Sequence, residues 1–265
     1  MFKILNPLQH DDIVDIKKSM TIYLEDICLS IPIFTNETRQ FKKILVNSVT
    51  GGLLQRESAE VTRINALKNV NCKIQRGERI ALIGHNGSGK TTFLKLISGI
   101  YYPTSGLLKK NIRVFPMINK SFLTSNELSG VVAAKAHYLM INGYEDGFDE
   151  YLEDIKNFSG IGDYIYLPLK TYSQGMEARL LFTILTSFKH ECLALDEGFG
   201  TGDSDFYSKA EIKMNSFLKD AGTLIFASHS EDLLKRFCKR GLVFERGTII
   251  FDGLLDDALN YYHDS

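Results

Sequence analysis

An excess of charge of either sign is missing from the chain. Its 265 residues carry 31 lysines and arginines against 32 aspartates and glutamates, a formal net charge of −1. There is no basic footprint for a phosphate backbone, so nucleic acid is not an expected partner. Paired cysteines are missing too. Cys28, Cys72, Cys192 and Cys238 are scattered, with no C-x-x-C and no matching histidine spacing. That excludes a disulfide framework or zinc motif and leaves reduced core filler in a cytosolic setting. The N-terminus has no basic segment leading into an apolar signal region. No apolar run nears the ~18 residues of a membrane span, and the stretch from Val131 to Ile141 is interrupted by Lys135 and His137. The chain is therefore not expected to cross a membrane by itself. No internal repeat is present. An apolar share of 44% suits an ordinary core, and the length suits one large domain or a core with an inserted lobe.

What the chain does have is Gly84-His85-Asn86-Gly87-Ser88-Gly89-Lys90-Thr91. It follows the apolar run Ile80 to Ile83 and precedes Phe93, Leu94, Leu96, Ile97 and Ile100 at helical spacing. Strand, Gly-rich turn and helix are the context in which G-x-x-x-x-G-K-[ST] forms a phosphate loop. Glycines let backbone N–H groups close on phosphates, and the opening helix turns its positive end to the same anion. Lys90 is placed to reach β- and γ-phosphates, and the Thr91 hydroxyl, followed by Thr92, to ligate Mg²⁺. The competing reading is a Gly-rich turn that only packs helix on strand. A lysine in a helix's first turn argues against it, because a cation there is unfavourable without an anion nearby.

Along the chain, residues 1–20 read as a tail. Thr21 to Phe34 reads as a strand, with Tyr23, Ile27, Leu29, Ile31 and Ile33 on one face. Asn36 to Glu60 reads as a polar connection and Thr62 to Ile74 as further strand. Tyr101 to Gly106 reads as a turn and Asn111 to Ile118 as a strand. Two helical stretches follow, Val131 to Ile141 and Tyr151 to Phe158, joined by Gly-rich turns, with an acidic run Glu145 to Asp154 as a solvated face. Strands and helices then alternate: Cys192 to Leu195, a helix from about Ser204, Thr223 to Ala227, and a helix capped by Ser230. A hairpin turning at Arg246-Gly247 and a last helix, Leu254 to Tyr262, close the sequence. Phe244, Phe251, Tyr261 and Tyr262 are expected to pack onto the core. The whole predicts an α/β fold with a mainly parallel sheet, an N-terminal antiparallel β portion and a helical subdomain at about residues 120–185.

Cys192 to Leu195 runs straight into Asp196-Glu197. Alone, a strand ending in two acids is unremarkable. Beside a phosphate loop, Asp196 suits the Mg²⁺ shell and Glu197 suits the orientation and deprotonation of an attacking water. Upstream, Ser173-Gln174-Gly175 opens a helix with the apolar face Leu180, Leu181, Ile184, Leu185 and Phe188. Its free N–H groups offer a second anion site, and the stretch reads equally as a plain Ser cap on a packed helix.

The order phosphate loop, Ser-x-Gly helix start, apolar-Asp-Glu and a His after a strand resembles the ABC ATPases. Tyr172 to Met176 stands at their signature, with Arg179 at the matching offset; Gly200-Thr201-Gly202-Asp203 stands at their D-loop, and His229 at their switch histidine. The resemblance covers roughly residues 20–262. Ile83 to Gly87, Val49 to Gly52, Lys170 to Leu180 and Ser228 to Glu231 look like the capsule and O-antigen polysaccharide exporters within it. Three positions depart from the pattern: Asn119 stands where the family has a metal-contacting Gln, Gln174 replaces a small signature residue, and Gly198 replaces a Pro. Phe34 is the aromatic assigned to stack on adenine, with Ile31 at the alternative register.

What the resemblance implies is a P-loop ABC ATPase domain over 21–262 that binds ATP and Mg²⁺. Glu197 and His229 would act in hydrolysis, with Thr91, Asp196 and Asn119 at the metal. Ser173, Gln174 and Gly175 would touch ATP from a second subunit, with Asp203 nearby, which implies a homodimer. Hydrolysis would power export of a lipid-linked polysaccharide through a separate integral membrane permease, with the subunit at the cytoplasmic face of the inner membrane. No further carbohydrate-binding domain is expected after His229, and no direct glycan binding. Another cargo, such as teichoic acid, a drug or a lipid, would use the same engine. A soluble non-transport ABC ATPase would be expected to carry a second cassette, a heptad arm or a basic stripe.

Overall fold

A computed structural model describes residues 20–33, 62–118, 125–196 and 204–264. The expected tail, except Met20, and the connection over 36–60 lie outside them.

Three strands form an antiparallel sheet in the order β2-β1-β4: β1 (Met20–Ile33), β2 (Thr62–Gln75) and β4 (Ser105–Lys110). The expected single alternation in β1 is corrected by the structure. Ile22 and Leu24 are buried, then Ile27 and Leu29, so the inward phase changes once. The cause is a register shift between Leu24 and Ile27, with Asp26 at φ 48. β2 bends close by, with Asn69 at φ 46 and its N–H donating to Cys28 Sγ of β1 at 3.4 Å. The double bend is tied by a reciprocal pair: Asp26 N donates to Asn71 Oδ1 and Asn71 Nδ2 donates to Asp26 Oδ1, both at 2.9 Å. A bulge of this kind flips every later side chain to the other face. Strand β4 is a second correction, because the sequence predicts only a turn ending at Gly106. Nearly all its side chains are exposed, so it carries no alternation to detect.

The central sheet has six strands in the order β5-β6-β7-β3-β8-β9. They are β3 (Arg79–Ile83), β5 (Val114–Met117), β6 (Cys192–Leu195), β7 (Thr223–Ala227), β8 (Arg240–Glu245) and β9 (Thr248–Leu254). All neighbours pair in parallel except β8 with β9, the hairpin predicted at Arg246-Gly247. β6 and β7 are buried at every position, which is why they read as unbroken apolar runs. Helix α1 (Lys90–Ile97) and the antiparallel sheet cover one face, through Phe93, Leu94, Ile22 and Val70 among others. The other face is covered by α5 (Ser204–Asp220), α6 (Glu231–Phe237) and α7 (Leu255–Asp264).

Between β5 and β6 lies the helical portion: α2 (Gly130–Asn142), α3 (Phe148–Ser159), two short 3₁₀ turns and α4 (Gln174–Leu185). It has its own core, with Ala134, Tyr138, Ile155, Ile165 and Leu180 buried together. Gly143 and Gly160 end α2 and α3 as C-caps, as the Gly-rich turns predict. The acidic run's carboxylates are exposed. All four cysteines are free, three of them buried.

Candidate functional site

In this sheet β6, β7 and β3 are adjacent and parallel, so their carboxyl ends lie along one edge. That is where open α/β sheets bind ligands. Here β3 delivers the phosphate loop, β6 delivers Asp196 and β7 delivers Ser228 and His229.

The loop's backbone is held by close approach. A Cβ on Gly84 would lie 2.3 Å from the Phe244 carbonyl oxygen, so only glycine fits there. Gly89 stands at φ 114 immediately before α1, whose N-terminus has no side-chain cap and no acid in its first turn. Its N–H groups are thus left for an anion. The β8–β9 hairpin braces the loop from outside: Gly247 N donates to Ser88 O at 2.8 Å, and Lys68 N donates to Gly247 O at 2.8 Å. Lys90 is buried, and its Nζ donates to the carbonyls of Gly84 at 2.5 Å and His85 at 3.0 Å. Thr91 Oγ1 donates to Asp196 Oδ2 at 2.5 Å, joining the loop's helix to the end of β6. Asp196 is set in turn by its N–H, which donates to Met117 O at 3.0 Å.

These groups line a cleft of about 640 Å³. Of the predicted site residues, Asn86, Gly87, Ser88, Gly89, Lys90, Thr91, Thr92, Asp196 and His229 line it. Gly84 and His85 form the near end of the loop, with His85 turned toward Tyr262 on α7 at 3.1 Å. Ser173, Gln174 and Gly175 are not in the cleft lining; they open α4 in the helical portion. Ser173 Oγ accepts from Met176 N at 3.2 Å, the plain helix cap. Phe34, Asn119, Glu197 and Asp203 lie outside the described residues. Ile31, the alternative to Phe34, does line the cleft.

The sequence reading missed Asn65, Ala66 and Lys68 of β2 and Arg246 of the hairpin, all of which line the cleft. Their only local signal is the Arg246-Gly247 turn. What brings them to the loop is packing between distant segments, through Gly247, whose Cβ would lie 2.6 Å from the Ala66 carbonyl oxygen.

The fold and cleft define a phosphate-loop nucleotide cassette. The sequence profile of the ABC transporter family matches residues 67–200. The chain belongs to that family and is one of its ATPases. It is 33% identical over 229 residues to the O-antigen export system ATP-binding protein RfbE of Yersinia enterocolitica, covering 86% of this chain and 96% of that one. It is 34% identical over 199 residues to the ATP-binding protein BexA of Haemophilus influenzae, covering 75% and 90%. Among solved structures, an ATP binding subunit of an ABC transporter superposes with a TM-score of 0.61 at 20% identity, covering 92% of this chain and 93% of that one.

Proposed function

We propose that this chain is the ATP-hydrolysing subunit of an exporter of a cell-surface, lipid-linked polysaccharide such as an O-antigen or a capsule. The observation that carries the engine is the meeting of Lys90, the Thr91–Asp196 pair and His229 in one cleft, at the carboxyl ends of three adjacent strands. The near full-length similarity to an O-antigen export ATP-binding protein supports the cargo class.

In this reading the triphosphate of ATP lies along the loop, its oxygens on the N–H groups at the start of α1. Lys90 turns from the carbonyls of Gly84 and His85 to the β- and γ-phosphates. The residues present fit Mg²⁺: Thr91 and Asp196 offer a hydroxyl and a carboxylate, oxygen donors of the kind a hard cation takes, side by side at 2.5 Å. The ion would supply charge neutralisation on the phosphate oxygens. Glu197, next in sequence to Asp196, accepts a proton from water as the water oxygen bonds to the γ-phosphorus. The β–γ bridging oxygen departs with ADP. His229, after the end of β7, faces the γ-phosphate from the strand next to β3.

Each chain holds one loop and one Ser173-Gln174-Gly175 helix start, and the two are not in the same cleft. Two copies arranged head to tail bring each helix start over the other's nucleotide. Among the described residues no helix is long and apolar enough to cross a membrane. In the proposed assembly a separate permease spans the inner membrane, and the helical portion receives it at the cytoplasmic face.

The test replaces the chain in its own cell by the Lys90→Ala variant. The expected result is complete polymer held inside on its lipid carrier, with none displayed at the surface. Undiminished display with the variant present as the sole copy would contradict the proposal.

A further inference from the structure

We propose that Tyr262 on α7 is a positioning residue for the phosphate loop, holding His85 so that the loop keeps its shape when Lys90 turns toward a nucleotide. The inference rests on the ATPase reading of the cleft.

His85 occupies a variable place in the loop motif, so the motif itself gives its side chain no task. In the structure the Tyr262 hydroxyl hydrogen-bonds with His85 Nδ1 at 3.1 Å, and the two ring centroids are 5.1 Å apart. The same residue's carbonyl accepts from Lys90 Nζ at 3.0 Å. His85 is thus held twice, once through its carbonyl by the lysine and once through its ring by the tyrosine. The first hold is lost when the ammonium moves to phosphate. The second does not depend on Lys90, and it keeps the backbone between Gly84 and Gly87 in place.

Tyr262 can act in this way only if α7 is itself fixed, and it is fixed at three places. Leu255, Ala258 and Leu259 are buried in the same cluster as Ile83, the residue that leads into the loop. A Cβ on Gly241 would lie 2.4 Å from Ala258 Cβ, so β8 and α7 approach as closely as a glycine allows. His263, the next residue after Tyr262, places Nε2 2.6 Å from Glu231 Oε1. Glu231 opens α6 two residues after His229, and that start is capped by Ser230, whose Oγ accepts from Leu233 N at 3.4 Å. The last turn of α7 therefore grips the segments that follow β3 and β7, the strands that lead toward Lys90 and His229.

A residue that holds the loop's resting shape affects binding more than chemistry. Tyr262→Phe keeps the ring and removes only the hydroxyl, and should weaken ATP binding by roughly 2- to 10-fold, the range for one net hydrogen bond. KM should rise with it while kcat stays near wild type. His85→Ala should cause a similar loss, and Tyr262→Phe added to it should cost nothing further, because the two act as one contact. The experiment is equilibrium binding of a fluorescent ATP analogue to wild type, the two single variants, the double variant and Lys90→Ala, with thermal melting of each. Unchanged affinity in Tyr262→Phe would overturn the proposal. So would losses in the single variants that multiply in the double variant, since Tyr262 would then act elsewhere than on His85. Lys90→Ala separates the two levels. If it fails to weaken binding, the nucleotide reading of the cleft falls; if it weakens binding and Tyr262→Phe does not, only the tether falls.

Discussion

Lys90 is a buried ammonium that donates to two main-chain carbonyls, those of Gly84 and His85. Thr91 and Asp196 form a similar holding contact, a hydroxyl on a carboxylate that a cation would join. The proposed function gives the role of proton acceptor to Glu197, next in sequence to Asp196. Glu197→Gln should lower kcat by roughly 10²–10⁴ while ATP binding is retained, since the amide keeps the shape and loses the base. Single-turnover hydrolysis with direct measurement of bound ATP checks this, and near wild-type turnover would remove Glu197 from its role. The lysine, threonine and aspartate were legible in the sequence because their spacing encodes a local event, a strand passing into a turn or a helix. Tyr262 and His85 were not. They lie 177 positions apart, and no periodicity links residues that only the finished fold brings together.

At the scale of elements, sequence reading succeeded where a segment is buried on one side or on both. β6, β7, α2 and α4 are of this kind. It failed at β4, which is exposed almost throughout, and at the bend in β1, where Asp26 and Asn71 reset the alternation. It also passed over the joint between the helical portion and the sheet. There Phe115 of β5 packs between two histidines: His190 stacks on it at 3.8 Å, and His137 of α2 meets its edge at 5.8 Å. Both Nε2 atoms are buried without a hydrogen-bond partner among the described residues. Burial lowers both rings to about 4 from 6.5, helped by His190 beside His137 and by Arg113 beside His190. The Tyr151 hydroxyl lies 3.4 Å from His137 Nδ1.

The sign follows directly. The folded state keeps both rings neutral, and the unfolded state takes up protons as pH falls below 6.5. Their contribution to stability is whole above that value and is lost progressively toward about 4. Chemical denaturation midpoints should therefore fall between about pH 6.5 and 5, before most carboxylates titrate. The double variant His137→Phe/His190→Phe should flatten that fall. An equally steep fall in the double variant would place its cause elsewhere.

At the scale of the whole molecule, the helical portion comes from one stretch of sequence, whereas the antiparallel and central sheets are each assembled from separated segments. Motif order carried the family assignment, and the sequence profile and the relatives establish it. What no single-chain pattern reveals is how the cleft and the start of α4 meet. Phosphate-loop residues line the cleft, Ser173 caps α4, and the proposed function requires them to face each other across two copies. A purified heterodimer of a Lys90→Ala chain with a Ser173→Arg chain tests this most directly. Both lesions then fall in one composite site, the other site is intact, and ATP hydrolysis should be recovered although each variant alone is inactive. The same two lesions placed together in one chain, paired with a wild-type chain, should leave no intact site and no hydrolysis. The opposite pattern, a silent first heterodimer and an active second one, would mean that each chain completes its own site and would contradict the account.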